Sequence, residues 1–310
     1  MKKLLPLLLL TLAVIVSGCI GQTPTLTAIS CSGAGVTNGI VISDFTFDFN
    51  EIYGDEAVGL TFTAENIGGA SGELIGAEIF GPTINEGAGA GNLTWGCLPT
   101  CELEPDLTTE NALESPNVEM DIPGGMFTET WTLEAPTGLG AEAGYNFNVR
   151  LRYSYETNFV GVLRVMSSEY LRSLPADERT ALIQAGGLHQ QCYSGGPIEL
   201  TAASGTHFVD PESAPKTIRF KVTNVGAGFP YYGSDDIDED YMYKVHLESA
   251  SGLTCTGVDE IPLSRGQTGT FSCTFTATTP TNYQDITFTL RLDYNYWLDK
   301  STFIKVMRPL

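Results

Sequence analysis

The segment Phe62-Thr-Ala-Glu-Asn66-Ile67-Gly68 recurs downstream as Phe220-Lys-Val-Thr-Asn224-Val225-Gly226, with Cys97 and Cys255 at the same distance beyond the two asparagines. A chain that repeats itself in register is expected to build one supersecondary unit twice. Further on, Arg150-Leu-Arg-Tyr153-Ser-Tyr155 matches Arg291-Leu-Asp-Tyr294-Asn-Tyr296, and Val165-Met166 matches Val306-Met307. Matching residues lie 158 apart at Asn66 and Asn224 but 141 apart at Tyr155 and Tyr296. The first copy therefore carries about 17 extra residues, which the polar segment 100–116 is expected to hold as a loop.

Apolar residues alternate within each copy: Val58, Leu60, Phe62 and Ala64 in one, Ile218, Phe220 and Val222 in the other. Period two marks half-buried strands. The longest runs, Phe147 to Tyr155 and Ile286 to Tyr296, place Asn, Thr, Arg or Asp on the opposite face, as antiparallel sheets with one wet face do. The fold expected is all-β: two tandem immunoglobulin-like antiparallel sandwiches over 27–166 and 192–310. Between them, 167–191 carries helix signals. Pro175 stands near a start, Asp177 and Glu178 in a first turn, Leu182 and Ile183 on one face, and Gly186-Gly187 as a stop. A short linker helix that spaces the sandwiches is the reading.

A strand ending in Asn-Ile-Gly or Asn-Val-Gly, then a small-residue turn and another apolar strand, resembles CARDB-like domains. These are immunoglobulin-type sandwiches of prokaryotic surfaces, and the resemblance implies adhesion or spacing. It covers about 50 to 90 residues per copy, mainly 62–80 and 145–166 with their partners. Two features depart from that family: cysteines in both copies and the Tyr-x-Tyr strand ends.

The N-terminus supplies an address. Lys2 and Lys3 precede an apolar run from Leu4 to Val16, which is followed by Ser17, Gly18 and Cys19. Such a run is short for a membrane span and fits a cleaved secretory signal. Val16-Ser17-Gly18-Cys19 resembles the lipobox of bacterial and archaeal lipoproteins, which implies a signal over 1–18, lipidation of Cys19 and a tether over 19–26. The Cys19-Ile20-Gly21 start resembles archaeal examples. The expected location is the outer face of the cell membrane, with the membrane as the first partner through that lipid. With 37 acidic against 16 basic residues, a net charge of -21 repels nucleic acid and draws cations.

Removing a lipidated Cys19 leaves six cysteines, an even number suited to an oxidising exterior. Local pairs Cys97–Cys101 and Cys255–Cys273 leave Cys31 with Cys192. The competing scheme pairs Cys31 with Cys97 or Cys101, and Cys192 with Cys255 or Cys273.

Two segments carry candidate binding chemistry. Asp235, Asp236, Asp238, Glu239 and Asp240 crowd one loop, and hard cations such as Ca²⁺ take carboxylate oxygens on flexible loops; EF-hand spacing is missing, and a solvated acidic loop is the alternative. Phe229, Tyr231 and Tyr232 form an aromatic cluster, read as a surface loop, that would grip a glycan or a surface protein or else pack locally. Asn92-Leu93-Thr94 is a glycosylation sequon. His189, His207 and His246 are scattered, and no nucleophile stands in a recognisable motif, so no catalytic residue and no required cofactor is assigned. The leading expectation is a non-enzymatic, lipid-anchored surface protein for adhesion, spacing or envelope assembly; a glycan- or calcium-binding module using loop 229–240 is the alternative.

Overall fold

The computed structural model describes residues 36–98, 101–103, 112–203, 208–210, 212, 215–233, 237 and 239–308. Its first copy supplies β1 (Ile40–Phe47), β2 (Glu51–Tyr53), β3 (Ala57–Asn66), β4 (Gly72–Phe80), β5 (Ile84–Glu86), β6 (Trp95–Leu98), β7 (Glu102–Leu103), β8 (Ala112–Leu113), β9 (Met126–Glu134) and β10 (Ala143–Met166). Helices α1 (Ser168–Ser173) and α2 (Ala176–Ala185) follow. The second copy supplies β11 (Leu188–Tyr193), β12 (Ile198–Ala203), β13 (Phe208–Val209), β14 (Lys216–Asn224), β15 (Phe229–Tyr231), β16 (Lys244–Ser251), β17 (Glu260–Pro262), β18 (Thr268–Phe275) and β19 (Tyr283–Met307). The fold is all-β and sandwich-like, and the alternation is its cause: Val58, Leu60, Phe62 and Ala64 are buried on one face of β3.

Three sheets result among the described residues. One has the order β1-β3-β9-β6-β5, and a second has β12-β14-β18. The third is built on β10 and β19, in the order β17-β16-β19-β10-β4-β7, with β2, β8, β11, β13 and β15 attached. Both smaller sheets pack on the buried face of the third. Phe147 of β10 meets Phe47 at 5.2 Å and Trp95 at 5.0 Å, and further along the ribbon Phe159 of β10 and Phe288 of β19 lie 6.1 and 6.0 Å from Phe220.

The two copies are not strung one after the other. β10 and β19 pair antiparallel from Ala143↔Val306 to Met166↔Tyr283. At about 3.3 Å per residue this ribbon is roughly 80 Å long. The C-terminal half of β19 lies in the first lobe. There Lys300 Nζ donates to the carbonyls of Ile42 and Ser43 at 3.0 Å each, β2 pairs with Lys305–Met307, and Ile304 and Val306 are buried. The expected boundaries, 27–166 and 192–310 around a 167–191 linker, therefore do not divide the chain. Residues 31–310 form one unit, and Cys192 sits within β11, which pairs with β10 of the first copy. Period two identifies a strand but not its partner, so the pairing of the long runs with each other was not visible in the sequence.

The pairing has two-fold logic. Tyr153 of the first copy corresponds to Tyr294 of the second, and Tyr155 to Tyr296, yet Tyr153 pairs with Tyr296 and Tyr155 with Tyr294. Exchanging the copies reproduces the same pairs, as an isologous dimer interface does. The pseudo-axis passes through Ser154↔Asn295.

Other departures have local causes. α2 follows Pro175 and ends at Gly186, whose φ of +77° favours glycine, as the sequence signals predict. Its expected apolar face is not buried, however, and Ile183 is 46% exposed. α1 was not anticipated, because six residues are too few to show a period; its N-cap Ser167 accepts the Tyr170 N–H at 3.1 Å. The extra length of the first copy is not confined to 100–116. Gly125 N–H bonds the Glu114 carbonyl, and Gln267 N–H bonds that of Ser264, so residues 114–125 stand where the tight turn 264–267 stands in the second copy. β7 and β8 pair with β4 and cover its edge.

Candidate functional site

The duplicated Asn-x-Gly motif builds a latch in each lobe. Buried Asn66 donates through Nδ2 to the carbonyls of Ala70 at 2.9 Å and Leu113 at 2.7 Å, and its Oδ1 accepts the Gly68 N–H at 2.9 Å. Asn224 repeats this with Gly228 at 2.8 Å, Gly266 at 3.0 Å and the Gly226 N–H at 3.2 Å. The second tyrosine of each Tyr-x-Tyr closes the turn. Tyr155 Oη accepts the Ala70 N–H at 3.0 Å; Tyr296 Oη accepts the Gly228 N–H at 2.9 Å and donates to Asn224 Oδ1 at 2.9 Å. A Cβ at Gly68 or Gly226 would collide with those hydroxyls, which explains both glycines.

On the inner face at the pseudo-axis the four tyrosines pack together. Ring centroids are 5.6 Å apart for Tyr153–Tyr296 and 6.2 Å for Tyr155–Tyr294. Burial pushes the Tyr155 hydroxyl up to about 12, and pushes Tyr153, Tyr294 and Tyr296 up as well. Because the fold favours the neutral phenols, this stability is fully present below the unfolded value near 10 and is lost as pH rises through the folded values. We expect the tyrosinate absorbance of these four to appear only together with loss of the β-sheet circular dichroism, above about pH 11. Full titration near pH 10 with the sheet intact would contradict the packing.

The outer face of the same ribbon is polar. Arg150 pairs with Asp299 at 2.8 Å and Arg164 with Asp285 at 2.7 Å, each through two N–H donors. Near the axis Arg291 Nε lies 3.1 Å from Glu156 and 3.0 Å from Asp293, and so separates two carboxylates that face each other across the strands. Here an open cleft of about 760 Å³ runs beside Glu73, Glu156, Arg291, Asp293, Asn295 and Tyr232. Its groups can hydrogen-bond a polar ligand, and Tyr232 offers an aromatic surface.

The aromatic cluster is not a surface loop. β15 pairs with β19, Tyr231 is fully buried, and Phe229 packs on Trp297 at 5.1 Å and Tyr243 at 5.7 Å. Tyr232 alone of the three lines the cleft, stacked on His246 at 4.5 Å. The alternation of three residues was too short to reveal this strand. In the acidic loop, Asp235, Asp236 and Asp238 lie outside the described residues, while Glu239 and Asp240 are exposed. Among the described residues no group of three or more His, Cys, Asp or Glu could hold a metal ion. Asn92 is exposed between β5 and β6. The disulfides Cys97–Cys101 and Cys255–Cys273 are present. Cys192 is also disulfide-bonded, whereas Cys31 and Cys19 lie outside the described residues.

No family model and no curated protein matches the chain. Among solved structures it is similar to the YadV chaperone at 10% identity, over 84% of this chain and 100% of that one, with a TM-score of 0.17. It is also similar to the collagen adhesin CNA from S. aureus at 9% identity, over 90% and 95% of the two chains, with a TM-score of 0.11.

Proposed function

We propose that this chain is a non-enzymatic, lipid-anchored protein of the outer cell surface that serves adhesion, spacing or envelope assembly. The observation that carries the reading is the shared ribbon: two copies of one sandwich unit are locked along 24 paired residues into a single long body. Such a body suits projection and load-bearing, since opening it requires breaking a full ladder together with the core on its inner face. The disulfides fit an oxidising exterior. No helix among the described residues is long and apolar enough to cross a membrane, and we assign retention to a lipid at Cys19. We assign the partner of Cys192 to Cys31, a bridge that would tie the start of the first copy to β11.

Full-length protein is expected in the membrane fraction of its host, and Cys19→Ser should move most of it to the soluble fraction or medium. Retention of the variant in washed membranes would sink the anchor.

A second reading, recognition of a polar ligand such as a glycan, is favoured by the cleft beside Tyr232. Under it, a glycan array should show binding that falls about tenfold or more in Tyr232→Ala, in line with loss of one aromatic contact. An array with no binder, or binding untouched by the substitution, speaks against the cleft.

A further inference from the structure

The hairpin tip over residues 117–122 presents side chains that the fold does not use. Asn117 and Ile122 exchange backbone hydrogen bonds of 2.9 and 3.0 Å, Asn117 Oδ1 accepts the Met120 N–H at 3.1 Å, and Asp121 takes a φ of +54°. Pro116 and Pro123 flank the pair and restrict the backbone on both sides. At its base a Cβ on Gly124 would strike the Asn66 carbonyl, so the hairpin is seated against the first latch. The tip is therefore ordered in the free protein. Yet Val118 is 87% exposed, Met120 67% and Ile122 51%, with Met126 directly after at 58%. The second copy closes the corresponding turn with Ser264-Arg265-Gly266-Gln267, without a large apolar residue. Closing the hairpin does not require these side chains, and exposing them to water is unfavourable.

We propose that the finger 117–122 is a docking element that inserts Val118 and Met120 into an apolar pocket on a partner protein, whose Lys/Arg-bearing rim pairs with Glu119 and Asp121. Pre-ordering lowers the entropy lost on binding, and methionine adapts to irregular pockets. Charge selects the occupant. Carboxylates alternate with the apolar side chains at the tip, and the whole chain carries -21. A basic rim is attracted to that surface, whereas an anionic bilayer and a second copy of the chain are repelled. The inference deepens the adhesion and assembly reading by naming the surface and the partner's chemistry, and rests on it only for the setting.

The test uses the full chain on intact envelopes with a photoreactive benzoylphenylalanine at position 118. The expected product is a reproducible crosslink to one protein, at a peptide whose apolar site is bordered by Lys or Arg. With that protein purified, Met120→Asp should raise Kd about thirtyfold or more, as loss of a central apolar anchor does. Replacing residues 114–125 by Ser-Arg-Gly-Gln should abolish binding with the same thermal stability, which separates docking from folding. Crosslinks to lipid, to a second copy or to no consistent protein would overturn the proposal, as would an unchanged Kd. Failure of the Cys19→Ser release assay would leave the crosslink result intact, so the two readings fail separately.

Discussion

Residues 27–166 produced without the second copy are expected not to fold as a monomer. In the intact chain β10 is paired along its whole length with β19, and the first lobe buries Ile304 and Val306 from that strand. Removing one large buried apolar side chain costs about 2–5 kcal/mol. Losing both, together with the ladder on one side of β10, takes away much of the about 5–15 kcal/mol that holds a typical domain folded. Any folded product should be a dimer, because β10 can reproduce the two-fold pairing with a second β10 about Ser154. Sedimentation and circular dichroism of the purified segment provide the check. A monomer that melts cooperatively near the temperature of the full chain would show that the lobes are independent.

Asn66→Ala is expected to be among the most damaging single substitutions. It leaves the Ala70 and Leu113 carbonyls and the Gly68 N–H without their partner in a fully buried turn. At about 1–3 kcal/mol for each buried polar group left unsatisfied, the loss should be about 3–6 kcal/mol. For a chain of this size that lowers Tm by about 10 °C or more. Asn66→Asp should be no better, since the carboxylate lacks both N–H donors and buries a charge. Asn224→Ala should act alike, with Tyr296 Oη also losing its acceptor. Scanning calorimetry of the three variants decides it, and a loss under about 1 kcal/mol in Asn66→Ala would mean that water replaces the amide.

Much of this molecule was legible from the chain because the signals were local. Alternation at Val58 to Ala64 and Ile218 to Val222 announced strands, Pro175 and Gly186 bracketed α2, and the short spacing of Cys97 and Cys101 announced their bond. The repeat of Asn-x-Gly and Tyr-x-Tyr marked the residues of the latch without revealing that they belong together. Asn66 and Tyr155 are far apart in sequence, and only folding brings the hydroxyl to the turn.

The features read incorrectly depended on partners elsewhere in the chain. Phe229 and Tyr231 looked like loop aromatics because β15 is too short to show a period; pairing with Trp297 to Asn295 is what buries Tyr231. The extra length of the first copy was assigned to 100–116, but the hydrogen bonds of Gly125 and Gln267 show that part of it forms the finger.

By itself, then, the sequence determined the long alternating strands, α2, the duplication and the all-β class, since side-chain period, turn residues and matched motifs act over a few residues. The tertiary structure decided that the two copies share one sheet, that four tyrosines meet on a pseudo-axis, and that a polar cleft runs beside Glu156, Arg291 and Asp293. Those outcomes rest on which strand each long apolar run pairs with. An alternating run of 24 residues can pair in register with many others, and the choice follows from the total core that each pairing buries.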